Sequence, residues 1–301
     1  MPIEDERAGH LSYLRTLAAV LTSVAETPAD LRSWRVVGAP PWPTDALEES
    51  GVLANFHLAQ TAILSCSNHC QGIVALASGL PAPMLAVGAL ARSAVEAAAQ
   101  AWWLRRPLSA AEADVARSVW DDLGSRAASV AACWYRYSAS HQRQWLAATD
   151  AGGAVEQDRV QLAEGADLAA EAAKKLRDAS GLAAQFGYGA AAVELISATG
   201  LRAGAAFYAR MCEASHGNPL AVTRSEVQDA YVSTGLMPLT VTPTSTEDEE
   251  PVNVYLLMVI RCVEVALLTS FGPSTGRHWG LSASGCADVV RRSEAWQRTF
   301  R

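Results

Sequence analysis

The sequence predicts an all-α protein, and three observations support this prediction. Alanine and leucine dominate the long segments, β-branched residues do not alternate with polar ones as they do in strands, and proline or glycine separates the segments. Half of the 301 residues are hydrophobic, which is enough for a large core. We therefore expect a single-domain antiparallel helical bundle of about eight to ten helices over residues 1–301.

Proline and glycine set the ends of the expected helices, because proline removes a backbone donor and glycine weakens a helix interior. Three prolines make residues 34–45 a loop, and Asp45 caps the helix that follows, with Glu48 at capping-box spacing. Ser109 and Glu112 repeat this pattern before a helix of up to about forty residues. In chain order, helices are expected at about 8–26, 46–78, 83–105, 109 to 152, 154–179, 189–198, 201–215, 224–234, 252–271 and 283–299.

Two segments near the C-terminal end differ from the rest. Residues 235–251 are rich in proline and threonine and then acidic, so we expect a mobile loop there. Residues 252–272 form the most apolar window, with about the length of a membrane span. Arg261 and Glu264 lie near its centre, however, and each would cost about 2.5–3.5 kcal/mol inside a membrane. We therefore expect a buried core helix here and no membrane partner.

Composition and charge exclude several classes of protein. The chain has 24 basic and 31 acidic residues, a formal net charge of −7, so a nucleic-acid partner is not expected. Its 50% hydrophobic content excludes intrinsic disorder. The six cysteines lie in apolar segments without a Cys-x-x-Cys pair, as is typical of free thiols in a reducing compartment. The polar, acidic start does not resemble a secretory signal, so we expect a cytoplasmic protein, for which a homodimer is compatible.

Polar side chains on otherwise apolar helices are the candidate site residues, because a buried polar group needs a partner or a function. On the helix at 46–78, His57, Thr61, Asn68 and Gln71 fall within about 80° of one another. Such a stripe is typical of a buried hydrogen-bonded network or a water-lined groove. The other interpretation is a surface that faces a ligand.

The helix at 83–105 carries the strongest candidates. Arg92 and Glu96 are four residues apart in a segment otherwise made almost entirely of small and apolar residues, and Trp102 and Trp103 follow. One interpretation is an internal ion pair that fixes the helix register. The other is a site in which Arg92 binds an anionic or carbonyl group, Glu96 orients it or moves a proton, and a tryptophan packs on the ligand.

A third candidate element is the helix at 201–215, which contains Tyr208 and Cys212 and is followed by His216. The helix dipole stabilises a histidine cation at a helix C-terminus, so His216 is either a capping residue or a general acid/base at the mouth of a pocket. We expect that pocket between the helices at 46–78, 83–105 and 201–216.

Two metal-dependent chemistries are weaker alternatives. Glu213 and His216 have the Glu-x-x-His spacing of di-iron bundles, and Glu96 could add a carboxylate, but the motif occurs once where such bundles use it twice. Residues 120–122, Trp-Asp-Asp, resemble the start of the Asp-rich magnesium motif of class I terpene cyclases, although Ser125 stands where a third acid is often found. The main hypothesis needs no cofactor.

A nucleic-acid-related activity is another alternative. Arg210 and His216 fit the loose Arg-x(4–6)-His pattern of the RNA-cleaving helical domains called HEPN. The two residues would lie about 120° apart on a regular helix, and the chain is acidic, so the pattern is not specific. A non-catalytic helical dimer also remains open.

Two segments carry a resemblance, LARSAVEAAAQAWWL at 90–104 and FYARMCEASHGNP at 207–219. With them the chain resembles a group of uncharacterised Ala-rich, all-helical proteins of actinobacteria, which carry Arg-Ser-x-x-Glu before a Trp-containing helix end and later a Tyr-containing helix ending in His-Gly. The resemblance implies the fold and the place of a site, and no activity. The matching positions are Arg92, Ser93, Glu96, Trp102, Tyr208, Ser215, His216 and Gly217.

These observations together predict a cytoplasmic helical enzyme or binding protein for a small, partly aromatic or isoprenoid-like molecule. Non-redox acid/base chemistry is expected, as in a lyase, isomerase or cyclase, because no nucleotide-binding motif is present. The expected catalytic residues are Arg92, Glu96, His216 and His57. The expected substrate-binding residues are Trp102, Trp103, Asn68, Thr61, Tyr208, Cys212 and Trp42.

Nine tryptophans outnumber the seven tyrosines and five phenylalanines, and their positions divide them. Trp120, Trp134 and Trp145 recur at steps that return close to one helical face, so we expect all three in the core. The pair at 102–103 and the loop tryptophans at 34 and 42 remain for a ligand.

Overall fold

The structure is a computed structural model that describes residues 3–26, 43, 45–79, 84–106, 119–152, 156–182, 184–201, 204–215 and 249–271. This part of the chain is 92% helical and contains eight helices and no strand. The prediction of an all-α protein is thereby confirmed. The helices are α1 (Ile3–Glu26), α2 (Ala46–Ala77), α3 (Met84–Arg105), α4 (Val119–Gly152), α5 (Glu156–Ser180), α6 (Tyr188–Ala198), α7 (Gly204–Ser215) and α8 (Glu249–Phe271).

Two helices begin earlier than the sequence predicts. Helix α1 begins at Ile3 rather than near residue 8, so the segment at the start of the chain belongs to the helix. Helix α8 begins at Glu249, so the last residues of the expected acidic loop are helical. Pro251 fits there because backbone N–H groups in the first turn of a helix have no intrahelical acceptor. The N–H that proline lacks therefore costs no hydrogen bond. The expected features that lie outside the described residues are the rest of that loop, the helices at 224–234 and 283–299, the start of the helix at 109, and most of the loop at 34–45.

Capping residues fix several helix ends as expected. Asp45 caps α2, since its Oδ1 accepts hydrogen bonds from the backbone N–H groups of Leu47, at 2.9 Å, and Glu48, at 3.0 Å. Gly181 follows α5 with a φ of 62°, and Gly200 follows α6 with a φ of 73°. Both values lie in the left-handed region that glycine enters without steric cost, so these two glycines end their helices.

The chain divides into two compact units. Unit 1 comprises Met1–Val37, Gln60–Trp103 and Tyr188–Arg301, and unit 2 comprises Gly38–Ala59 and Leu104–Gly187. Among the described helices, α1, α6, α7 and α8 belong to unit 1, together with most of α2 and α3, whereas α4 and α5 belong to unit 2. The single domain and the antiparallel bundle arrangement stay predictions.

The core of unit 1 includes the packed faces of α1 and α8. Glu264 of α8 is 1% exposed, accepts a hydrogen bond from the Tyr13 hydroxyl of α1 at 2.7 Å, and pairs with Arg261. The window Val252–Thr269 is long and apolar enough to cross a membrane by length and composition, and 67% of it is buried inside the protein. A buried, paired carboxylate therefore lies inside a long apolar helix.

Unit 2 brings α2 and α4 very close together. A Cβ atom on Gly51 would lie 2.9 Å from the Cα atom of Gly124, so the two backbones touch at a pair of glycines. One turn further along α2, the buried Asn55 donates through Nδ2 to the carbonyl of Leu123 at 2.9 Å. This hydrogen bond satisfies the amide nitrogen of Asn55, whereas its Oδ1 has no hydrogen-bond partner among the described residues.

The tryptophan prediction is correct at one end of α4 and wrong at the other. Trp120 is 3% exposed and Trp134 is half-buried, but Trp145 is 63% exposed. The helix carries side chains on the same face along its whole length, yet Trp145 is exposed even though Leu162 of α5 lies near it. Helical periodicity gives the face of a side chain and not what covers that face.

Candidate functional site

The candidate site lies in unit 1, where α3 and α7 meet. Arg92 and Glu96 occupy the middle of α3, and the residues beside them, Ala91, Ala94 and Val95, are fully buried. Alanine favours the helix and its small side chain lets neighbouring helices approach. The charged pair is therefore held on a rigid element that packs closely on both flanks.

Four side chains form a hydrogen-bonded polar cluster, which we define as Arg92, Glu96, Tyr208 and Ser215. Arg92 Nε donates to Glu96 Oε1 at 2.8 Å, and the Tyr208 hydroxyl of α7 donates to the same oxygen at 2.8 Å. Arg92 Nη1 donates to Ser215 Oγ, and that hydroxyl donates to the Cys212 carbonyl at 2.8 Å. One carboxylate oxygen thus joins α3 to α7.

The second carboxylate oxygen of Glu96, Oε2, differs from Oε1 in its hydrogen bonding. Both hydrogen bonds that Glu96 accepts go to Oε1, and Oε2 has no hydrogen-bond partner among the residues that the structure describes. The side chains of Arg92 and Glu96 are 25% and 19% exposed. The cluster is therefore partly open to solvent and keeps an available acceptor.

His69 brings α2 to the same place. Helices α2 and α3 are in close contact, since a Cβ on Gly72 would lie 3.0 Å from Leu90 Cδ1 and the Cys66 thiol donates to the Ala94 carbonyl at 3.5 Å. His69 lies between these two contacts along α2 and is close enough to Glu96 for the carboxylate charge to act on it. Three helices thus contribute polar groups to one region.

The electrostatics of the cluster keep its members in defined states. Burial raises the pKa of Tyr208 far above its usual range, and the hydrogen bond and charge of Glu96 raise it further. Burial lowers the pKa of His69, against which the Glu96 charge acts only partly. For Arg92 burial acts to lower the pKa, but the hydrogen bond and charge of Glu96 outweigh it and raise the pKa. At neutral pH the cluster has a protonated phenol and a guanidinium cation, and the His69 imidazole near it is neutral.

The polar stripe of α2 is not buried, and the expectation of a buried network is wrong. His57, Thr61, Asn68 and Gln71 are all exposed. Leu64, in the same stripe, is 42% exposed, so this face of α2 carries apolar and polar side chains alike into solvent. The high apolar content of α2 suggested that all its faces are buried, whereas one of them is exposed to solvent.

The remaining predicted residues are divided. Cys212 is half-buried, and its carbonyl accepts the hydrogen bond from Ser215, which places it beside the polar cluster. Trp102 is half-buried, and Trp103 is 4% exposed and packs in the core. Trp42, His216 and the side chain of Arg210 lie outside the described residues, although His216 follows Ser215 directly in the chain.

The structure bears on the metal alternatives as well. Among the described residues, no group of three or more His, Cys, Asp or Glu side chains could hold a metal ion. Glu213 is exposed, and Oε1 of Glu96 already accepts hydrogen bonds from Arg92 and Tyr208. Asp122 of the Trp-Asp-Asp segment is buried against Arg126, at 2.9 Å, which gives that acid a structural partner.

Comparison with models of protein families, with curated proteins and with solved structures found no match for this chain. The resemblance to the Ala-rich actinobacterial group stays a prediction. The candidate site therefore stands on its own geometry.

Sequence reasoning missed His69. A signal was present, since Cys66, His69 and Gly72 recur at helical spacing and include the small residues of a close helix contact. Side chains beside such a contact face the neighbouring helix, so His69 could have been placed toward α3.

Proposed function

We propose that the protein binds a small, partly aromatic or isoprenoid-like molecule with an anionic or carbonyl end, and acts on it by non-redox acid/base chemistry. The observation that carries the proposal is the polar cluster, in which Glu96 Oε1 is shared by Arg92 and Tyr208 while Oε2 stays available. Free thiols at all five described cysteines support the cytoplasmic location that is part of this proposal.

Binding is favoured by the partial exposure of the ion pair. A guanidinium that is 25% exposed in a largely apolar setting attracts an anionic or carbonyl group more strongly than one in bulk water, because the local dielectric constant is lower. Trp102 is half-buried and lies six residues after Glu96, about 120° around α3, so its ring would pack on a ligand body that extends around the helix.

Acid/base chemistry is favoured by the complementary states of Glu96 and Tyr208. The Tyr208 hydroxyl keeps its proton at physiological pH and donates its single hydrogen bond to Glu96 Oε1, so it positions the carboxylate. The Arg92 guanidinium would stabilise negative charge that develops on a carbonyl oxygen. The Glu96 carboxylate would accept the proton that leaves the substrate through Oε2. Proton removal and return of this kind are the steps of an isomerisation, an elimination or a cyclisation.

The binding part is tested with matched pairs of small molecules. Thermal unfolding would be followed with trans-cinnamate and geranyl phosphate, and with cinnamyl alcohol and geraniol, which keep the body and lack the charge. We expect at least one anionic compound to raise the melting temperature of the protein, and its alcohol to do so less. Arg92→Gln should remove this rise, whereas Ser93→Ala, whose hydroxyl donates only to the Ala89 carbonyl, should keep it.

The chemical part is tested by solvent exchange. A bound compound that undergoes acid/base chemistry takes up deuterium from D₂O at carbon, which mass spectrometry detects, and Glu96→Gln should abolish the uptake. Binding without deuterium uptake or product would identify a binding protein and contradict the enzymatic proposal. If no anionic compound stabilises the wild type, or if Arg92→Gln and Ser93→Ala behave alike, the assignment of the ligand to the polar cluster is wrong.

A further inference from the structure

Unit 2 contains a cavity of about 520 Å³ between α4 and α5. The two helices pack closely, since a Cβ on Gly165 would lie 2.4 Å from Oε1 of Gln142. Further from the connection between the helices they leave a groove, and its volume lies within the roughly 300–1,000 Å³ range of ligand pockets. None of the sequence motifs points to this place.

The floor of the groove is apolar and made of small side chains. Ala132 and Ala139 of α4 lie seven residues apart on one face and are 7% and 2% exposed. Ala170 and Ala173 of α5 face them across the groove. Alanines on both helices leave the space that larger side chains would fill, so the groove can take the body of an apolar molecule.

One end of the groove is closed by a fixed aromatic ring. Phe186 is 3% exposed, and its backbone N–H donates to Ser129 Oγ at 2.7 Å. The same hydroxyl donates to Gln185 Oε1 at 3.0 Å, and Gln185 Nε2 donates to the Leu182 carbonyl at 2.8 Å. These bonds hold the segment after α5 against α4 and keep the ring in place.

The rim of the groove is basic. Four cationic side chains line it, Arg136, Arg143, Lys174 and Arg177, and no acidic side chain of the described residues does. This arrangement contrasts with the net charge of −7 on the whole chain. A cluster of one sign on an oppositely charged protein creates a local field that attracts anions.

The acidic residues closest to these cations hold them weakly. Asp167 lies 3.4 Å from Arg143 and Asp178 lies 3.9 Å from Arg177, and all four side chains are more than half exposed. Exposed pairs of this kind contribute between about 0 and 1 kcal/mol, so a ligand can displace them.

We propose that this groove binds an amphiphilic anion, with an alkyl or aryl body on the alanine floor and a phosphate, sulfate or carboxylate group on the basic rim. The shape, the floor and the charge of the groove support this proposal, which is independent of the function proposed for the polar cluster. The anion comes either from a free amphiphile or from the headgroup and chain of a lipid.

Isothermal titration calorimetry with monomeric decyl phosphate tests the proposal. Decyltrimethylammonium keeps the chain and reverses the charge, and inorganic phosphate keeps the charge and lacks the chain. We expect saturable binding of decyl phosphate, at least about tenfold tighter than either control and unchanged by Arg92→Gln in the polar cluster. An absence of saturable binding, or equal affinity for decyltrimethylammonium, would overturn the proposal.

Adjacent lysines supply a matched pair of variants. Lys174 lines the groove, whereas its neighbour Lys175 pairs with Glu171 at 2.7 Å and does not line it. Lys174→Gln should weaken decyl phosphate binding several-fold, the double variant Arg136→Gln with Arg177→Gln should weaken it more than about tenfold, and Lys175→Gln should leave it unchanged. Circular dichroism checks the fold of each variant, and equal effects of the two lysine variants would contradict the assignment.

Vesicles distinguish the two sources of the anion. Two results together support a lipid ligand. The protein binds decyl phosphate and co-sediments with phosphatidylglycerol vesicles, and the double variant Arg136→Gln with Arg177→Gln loses the co-sedimentation. Decyl phosphate binding without co-sedimentation supports a free amphiphile. If the protein co-sediments with vesicles but does not bind monomeric decyl phosphate, another part of its surface binds the membrane. That result would overturn the groove as the binding site.

Discussion

Glu264 shows at the scale of single residues how a charge is kept in an apolar helix. The carboxylate is 1% exposed, and it is stabilised by the Tyr13 hydroxyl of another helix and by Arg261 on its own helix. A buried charge without such partners would cost several kcal/mol. The identity of these three residues is therefore interdependent.

The first prediction concerns this buried carboxylate. Tyr13→Phe removes one hydrogen bond to Glu264 and should lower the free energy of unfolding by about 1.5–3 kcal/mol, because hydrogen bonds to buried charges are the strong ones. Urea denaturation measures the change. Tyr135→Phe, at a tyrosine that is 46% exposed, is the control and should change stability by less than about 0.5 kcal/mol. Equal effects of the two variants would show that the buried bond contributes nothing.

The second prediction concerns His10, which is 2% exposed in α1. Burial lowers its pKa from 6.5 to about 4, because the charged imidazolium is disfavoured away from water. Between these two pH values the unfolded chain binds a proton that the folded chain does not. The stabilisation is therefore complete above about pH 6.5 and is lost as the pH falls toward about 4.

The expected loss is on the order of 2 kcal/mol between pH 7 and pH 4, measured by urea denaturation at a series of pH values. His10→Gln has no titrating ring and should flatten the slope by nearly one proton. His141→Gln replaces an exposed histidine and is the control, with the slope of the wild type. A wild-type slope in His10→Gln would mean that His10 does not cause the dependence.

At the scale of elements, the contact between α2 and α4 depends on two glycines. Where the backbones of the two helices come closest, there is no room for a side chain, because a Cβ on Gly51 would lie 2.9 Å from the Gly124 Cα atom. In a helix interior alanine is otherwise better than glycine by about 0.5–1 kcal/mol. The loss of helix propensity at these positions is therefore offset by close packing.

The third prediction compares two glycines in helices. Gly51→Ala should lower the free energy of unfolding by about 1–3 kcal/mol, because the backbones must separate. Gly9→Ala, where nothing lies within 4 Å of the new Cβ, should raise it by about 0.5–1 kcal/mol through helix propensity alone. Urea denaturation measures both, and a stabilising Gly51→Ala would contradict the close contact.

The fourth prediction concerns the start of α2. Asp45→Ala removes the acceptor for two backbone N–H groups and should cost about 1 kcal/mol of stability. Asp45→Asn keeps a side-chain oxygen at the same place and should cost much less. Thermal unfolding of the two variants separates the cap from other effects of the substitution, and equal losses would show that the cap is not what Asp45 contributes.

At the scale of the whole molecule, the cysteines report whether the cores stay closed. Cys66, Cys70, Cys133 and Cys262 are buried, and all five described cysteines are free. A hydrogen bond with Cys66, together with burial, raises the pKa of the Cys70 thiol, and burial raises the pKa of Cys262. Thiols that resist ionisation react slowly with electrophiles.

The fifth prediction follows from this burial. In the native protein, iodoacetamide should modify the half-buried Cys212 well before any of the four buried cysteines. Peptide mapping by mass spectrometry measures each site separately. In urea all five should react at similar rates, which is the control, and early modification of Cys70 or Cys262 in the native protein would contradict a closed core.

The sequence was a good guide to the elements and a partial guide to the site. Helix ends were predictable where local chemistry decides them, as at Asp45 and Gly200, since a cap or a left-handed turn depends on a few neighbouring residues. The Arg92–Glu96 ion pair is also local, because residues four apart on a helix meet. Tyr208 was an expected substrate-binding residue and Ser215 a matching position of the resemblance, but their hydrogen bonds to Glu96 and Arg92 depend on the tertiary structure.

The sequence by itself determined that this chain is helical and that Arg92 and Glu96 face the same way, because both properties arise from contacts within a few residues. Only the tertiary structure decided that Tyr208 and His69 join them, that the stripe from His57 to Gln71 is exposed, and that a basic groove lies between α4 and α5. The physical reason is that periodicity fixes which side chains share a face, whereas burial depends on which other helix covers that face.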